Sequence, residues 1–142
     1  MHLDIERTLS LFKRELRDNL LFFWMGRCAD WERGGYFNCF SNDGAHLLSH
    51  DKYTWSMGRF LWAFSRLSLM ESDLFDEKER REFLRYAENG RRFLERCAFL
   101  REGDLRCVFL TDGEGNPKTV EGYEGFDLSI SADCFVAMGF AA

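Results

Sequence analysis

With 142 residues, 46% of them apolar and 16% aromatic, the chain has material for one domain with a real core. A formal net charge of −5, and no basic cluster interleaved with aromatics, argue against a nucleic-acid partner. No apolar run reaches the roughly 18 residues of a membrane span, and Met1, His2 and Leu3 do not open a basic-then-apolar leader, so neither membrane nor signal peptide is expected.

Ile5, Leu9, Phe12, Leu16, Leu20 and Phe23 recur at steps of three and four, which predicts an amphipathic helix over residues 4–23. A loop over 25–35 closes on Gly34-Gly35. A strand at 36–40, a turn at 42–44 and a return strand at 46–48 make a hairpin. Residues 51–67 read as a second helix that is apolar almost all round, with Tyr53, Trp55, Met57, Phe60, Leu61, Trp62, Phe64 and Leu67, and with Ser49 or Asp51 as its cap. Such a helix is expected to be buried on every side.

Asp76 and Glu79 have capping-box spacing and open a third helix that runs to about Phe99. Phe83, Ala87, Gly90, Leu94 and Cys97 form its buried stripe, and Ala87 and Gly90 suggest close approach to a neighbouring helix. A strand at 105–110, a turn at 112–116 and a return at 118–120 follow. The last helix, from about 129 to 142, is again apolar nearly all round.

Amphipathic helix, hairpin and apolar helix therefore occur twice, with Asp43-Gly44 and Asp112-Gly113 as the two turns. Alternation of half-polar and wholly apolar helices implies an outer layer wrapped round an inner one. A closed double ring of six such pairs needs roughly 400 residues. The chain stops at Met138-Gly-Phe-Ala-Ala142 inside an apolar helix without a cap, so it is expected to be the first part of a larger protein.

The cysteines, Cys28, Cys39, Cys97, Cys107 and Cys134, are odd in number and lack a C-x-x-C pair. Reduced thiols in a cytoplasmic protein are the expectation. His2, His46 and His50 have no metal-ligand spacing, and neither metal nor cofactor is expected. Arg59 is the informative residue. A guanidinium inside an apolar helix needs acceptors, and these are either protein carboxylates and carbonyls or an oxygen-rich ligand. Trp55 lies one turn earlier on the same face. Lys52 and Tyr53 either edge a pocket or are solvated. Asp133, in the first turn of the last helix, is favoured there by the helix dipole or serves a pocket.

Three stretches carry a resemblance. Asp30-Trp-Glu-Arg-Gly-Gly-Tyr-Phe37, then Asp43-Gly44, then Lys52-Tyr-Thr-Trp-Ser-Met-Gly-Arg-Phe-Leu-Trp-Ala-Phe-Ser-Arg66 resemble the N-terminal third of the N-acylglucosamine 2-epimerase superfamily, and residues 131–140 resemble its fourth helix. The resemblance implies a mainly α fold, an (α/α)6 barrel of which residues 1–142 supply the first four helices and two short β-hairpins. It implies C2 epimerisation or isomerisation of a small sugar: ring opening, removal of the C2 proton, and reprotonation of an enediolate on the other face. Arg59 matches the family's active-site arginine, beside the oxygen that gains charge, with Trp55, Tyr53 and Asp133 as further sugar contacts. The family's catalytic histidines lie in later helices, and none of His2, His46 or His50 matches them, so the chain alone is expected to be inactive. Two alternatives stand beside this: another (α/α)6 carbohydrate enzyme such as a glycoside hydrolase, which needs a second carboxylate, or a non-catalytic binding protein or remnant. Exposed inner helices would favour a homo-oligomer.

Overall fold

The computed structural model describes residues 4–101 and 103–142; His2 lies outside them. The fold is mainly helical with a few short strands. Its centre is α3 (Thr54–Ser68), which packs against both α4 (Glu77–Cys97) and α5 (Ile130–Phe140). The sequence sets these contacts. Met57, Leu61, Phe64 and Leu67 of α3 are buried with Phe83, Ala87, Phe93 and Leu94 of α4 and with Ala132 and Val136 of α5. The capping box of α4 is present in full: Asp76 accepts from the Glu79 amide at 2.8 Å and Glu79 accepts from the Asp76 amide at 2.9 Å. Gly90 does make a close approach, but to the Tyr36 ring and not to a helix; a Cβ there would overlap the Tyr36 hydroxyl. That hydroxyl instead donates to the Tyr86 carbonyl at 2.7 Å.

The first helical stretch departs from its predicted pattern. It runs as α1 (Ile5–Arg14), a π-helical segment (Glu15–Leu21) and α2 (Phe22–Met25). Wider π turns rotate the residues that follow. Leu16, Leu21, Trp24 and Met25 therefore meet the core, while Ile5 is 72% and Phe12 66% exposed. Lys13 and Arg17 tie this stretch to the α3–α4 connection and the first turn of α4, through Asp73 at 3.2 Å and through the Leu74 carbonyl and Glu79 at 2.5 and 2.6 Å.

The strands are shorter and pair differently than the sequence suggests. β1 (Cys39–Phe40) and β2 (Leu47–Ser49) form the first hairpin, a fragment of the predicted 36–40 and 46–48 pair. β3 (Lys52–Tyr53) occupies what reads locally as the start of a helix. It pairs antiparallel with β6 (Leu110–Thr111), which pairs in turn with β7 (Pro117–Lys118). The predicted strand at 105–110 splits, because β5 (Asp104–Cys107) folds back on β4 (Phe99–Arg101) in a hairpin the periodicity hid. Neither Ser49 nor Asp51 caps α3. Tyr53 holds the cap position without a side-chain bond, the Thr54 amide donates to the Phe109 carbonyl at 3.0 Å, and Asp51 pairs with Lys118 at 2.6 Å.

Nor is α3 buried on every side. Arg59 is exposed and Trp62 is 42% exposed. The buried cation is Lys52, read from sequence as a pocket edge or a solvated group. It is 0% exposed, and its ammonium donates to Asp30 Oδ2 at 2.8 Å, to the Gly34 carbonyl at 2.9 Å and to the Gly113 carbonyl at 2.8 Å. Three donors meet three acceptors, which is what makes burial of the charge tolerable.

Asp30 is equally committed. Its Oδ1 accepts from the amides of Glu32 and Arg33, and its own amide donates to the Gly35 carbonyl at 3.0 Å. Gly34 and Gly35, at φ +88° and +78°, supply the left-handed turn that brings this loop onto Phe93. Burial opposes ionisation of Asp30. The Lys52 ammonium and the two amides outweigh it and hold the carboxyl below its ordinary value.

The thiols give one test of this packing. Burial pushes Cys28 up to about 12, and burial with the nearby Asp133 carboxylate does the same to Cys107. At pH 8 their thiolate fraction is then about one in ten thousand. Cys134, exposed on α5, is expected to react first with iodoacetamide, with Cys28 and Cys107 labelled only on unfolding. Peptide mapping that finds all five modified at one rate would contradict the packing.

Candidate functional site

A groove of about 460 Å³ runs between the π segment and the exposed face of α3. Residues three and four apart on a helix share a face, and Ser56, Arg59, Phe60, Ala63 and Leu67 line the groove in that series. The opposite wall is Leu16, Leu20, Leu21 and Trp24. The two walls differ in chemistry along their length. One end collects Trp55, Ser56, Arg59 and Asn38; the remainder is aliphatic and aromatic.

Arg59 sits with its guanidinium 4.7 Å from the Phe135 ring centre and 5.5 Å from that of Trp55. The charged head thus lies against two aromatic rings while the residue stays exposed to solvent. None of the ion pairs among the described residues involves it, so the charge is not spent on a core carboxylate. The need for acceptors inside a core, on which the sequence argument turned, does not arise.

Trp55 and Arg59 are thus brought together, and the other two candidates are not. Tyr53 lies in β3, its ring against Phe109 at 5.7 Å and 6.4 Å from Trp55, and it does not line the groove. Asp133, half-buried in the first turn of α5, accepts the Cys107 amide at 2.7 Å and so anchors the end of β5. It too lies off the groove. His46 and His50 do not line it either; the His50 ring packs edge-on against Phe37 at 5.4 Å. Among the described residues no group of three or more His, Cys, Asp or Glu could hold a metal ion, and no helix is long and apolar enough to cross a membrane.

Asn38 and Ser56 were not found from sequence. Asn38 Nδ2 donates to Ser56 Oγ at 2.8 Å. The loop that carries Asn38 is held just upstream: the Phe37 amide donates to the Cys28 carbonyl at 2.6 Å, and the Tyr36 amide approaches the sulfur of Met57 on α3 at 3.2 Å. The available signal was Ser56 one turn before Arg59; Asn38 reaches the same place only through tertiary folding.

No protein-family model matches the chain. It is 32% identical over 134 residues to the N-acylglucosamine 2-epimerase of Mus musculus, covering 92% of this chain and 29% of that protein. It is 33% identical over 137 residues to that of Bos taurus, covering 94% and 30%. The chain thus spans less than a third of the length of the curated relatives it matches. Among solved structures, the cellobiose 2-epimerase from Bacillus thermoamylovorans superposes with a TM-score of 0.66 at 26% identity, covering 80% of this chain and 27% of that one. The cellobiose 2-epimerase from Spirochaeta thermophila, at 22% identity and a TM-score of 0.62 over 83% and 28%, shares the fold.

Proposed function

We infer the function from one premise: over the stretch it shares with its relatives, the chain belongs to the N-acylglucosamine 2-epimerase superfamily. On this reading residues 1–142 are the N-terminal part of an (α/α)6-barrel sugar 2-epimerase, and the polar end of the groove holds the substrate. The observation that carries it is the exposed guanidinium of Arg59, paired with no described carboxylate and set beside the face of Trp55.

In the reaction so proposed, the sugar opens to its carbonyl form. A base takes the C2 proton, and the C–H electron pair moves through C2–C1 onto the carbonyl oxygen. The resulting enolate, an enediolate where C2 carries a hydroxyl, is reprotonated at C2 from the opposite face. A fixed cation beside that oxygen is worth most where charge develops, and Arg59 is placed for this role. Trp55 offers a flat apolar surface for the sugar's C–H face.

Among the described residues no histidine lines the groove, so on this reading they do not supply the base and acid. The apolar remainder of the groove, made by Leu16, Leu20, Leu21, Phe60, Phe64 and Leu67, has helix-contact chemistry, not sugar-contact chemistry. In the proposed ring it receives another inner helix. The chain incubated with N-acetylglucosamine in D2O is therefore expected to leave C2 unlabelled by NMR. Deuterium at C2 would place a working acid–base pair within these residues and overturn this division of labour.

A further inference from the structure

The open hydrogen-bonding capacity at the polar end of the groove carries a specificity assignment that deepens the sugar-site reading and rests on it. Arg59 is donor-only. A site made of Arg59 and Trp55 can hold a sugar's oxygens and its apolar face, but it accepts no hydrogen bond from a sugar hydroxyl or acylamino N–H. Asn38, which lines the same end of the groove, can. One of its N–H groups donates to Ser56 Oγ at 2.8 Å. Its carbonyl receives only a long thiol approach from Cys39 at 3.9 Å. Ser56, 6% exposed, accepts that bond, and no described acceptor receives its own proton.

Both side chains line the groove with Arg59. Ser56 and Arg59 are three positions apart on α3, so their side chains emerge nearly one turn apart on one face, about 4.5 Å along the axis. The substituents on neighbouring carbons of a sugar are spaced more closely than that. A ligand with one oxygen at Arg59 therefore keeps its adjacent substituents on the stretch of groove that holds the Asn38–Ser56 pair.

We propose that Asn38 is the specificity-determining residue of this site, accepting a hydrogen bond from the donor on C2 of the sugar, an acylamino N–H or a hydroxyl, and that Ser56 is its positioning residue. Asn38 is half-buried, and an acceptor partly shielded from water that is left unmatched discriminates against a ligand lacking the donor. The site then prefers C2-substituted sugars over 2-deoxy sugars.

The test is calorimetric titration of the full chain with N-acetylglucosamine and with 2-deoxyglucose. The wild-type chain binds the first about tenfold more tightly, the worth of one such bond. In Asn38→Leu the ratio falls to about one. Ser56→Ala narrows it and Ser56→Thr restores it, which a merely structural role would not do. Arg59→Ala weakens both sugars and keeps the ratio. Circular dichroism identifies any variant that has lost its fold, and Asn38→Asp, of the same shape and retaining an acceptor, then takes the place of Asn38→Leu, with the preference for the C2 donor kept. A wild-type ratio in folded Asn38→Leu, or loss of the preference in folded Asn38→Asp, overturns the assignment while leaving the Arg59 site intact. Failure of the wild-type chain to bind either sugar overturns both.

Discussion

Lys52→Met is expected to lower stability by about 3–5 kcal/mol, the cost of leaving one member of a buried ion pair alone. The loss follows from geometry. Lys52 Nζ joins Asp30, the Gly34 carbonyl and the Gly113 carbonyl, so one side chain holds the 30–35 loop and the 112–116 turn against β3. Methionine fills similar volume, so packing loss is small and the effect isolates the charge. Thermal unfolding should fall by about 10 °C or more for a domain of this size.

The pH dependence has a definite sign. Asp30 has a folded pKa below its ordinary 3.8, so between the two values the unfolded chain binds more protons. Its contribution to wild-type stability is complete above the ordinary carboxylate range and is lost as pH falls through the lowered value. Acidification should therefore shrink the gap between Lys52→Met and wild type, because a protonated Asp30 no longer needs the ammonium. Asp30→Asn combined with Lys52→Met should recover part of the single-variant loss, since the pair is directly coupled. Equal melting temperatures for wild type and Lys52→Met would show that the ion pair does not hold the loops.

Gly58→Ala is expected to destabilise by about 2 kcal/mol, against the usual direction for a helix interior. Alanine gains about 1 kcal/mol in helix propensity over glycine. At Gly58 its Cβ would fall on the Phe135 carbonyl, with the Val136 amide nitrogen 2.8 Å away. The reciprocal contact is less tight but still too close: a Cβ on Gly139 would lie 2.8 Å from the Gly58 carbonyl oxygen. Backbone faces backbone on both sides, so no rotamer change relieves the overlap, and overpacking of about 3 kcal/mol decides the sign. Gly26, with open space around it and φ of −79°, is the control, and Gly26→Ala should be neutral in the same denaturant titration. A Gly58→Ala variant as stable as wild type would mean that α3 and α5 do not meet at these glycines.

Local signals were legible where the physics is local. Asp76 and Glu79 announced the start of α4, and Phe83, Ala87, Gly90, Leu94 and Cys97 are all buried as their spacing required. Asp51-Lys-Tyr looked like a helix cap because nothing nearby reveals that Lys52 and Tyr53 pair with Thr111 and Leu110, far along the chain. Burial of Lys52 was hidden for the same reason, since its partners come from two distant loops. The stripe of α1 misled in the opposite way. Periodicity finds an apolar face but not whether anything covers it, and the π segment then turned Leu20 outward and Leu21 and Trp24 inward. In the site, Trp55 and Arg59 share a face by helical spacing alone. Asn38 joins them only because the Gly34-Gly35 turn folds its loop back onto α3.

The sugar-holding role of Arg59 is tested most directly by calorimetric binding of N-acetylglucosamine to the wild-type chain and to Arg59→Ala. Arg59 is exposed and no described carboxylate pairs with it, so the substitution should leave the melting temperature within about 1 °C of wild type, as for a surface change. Affinity should fall at least about tenfold, the scale of one charge-assisted hydrogen bond. Equal affinity in the two proteins would contradict a sugar site at Arg59.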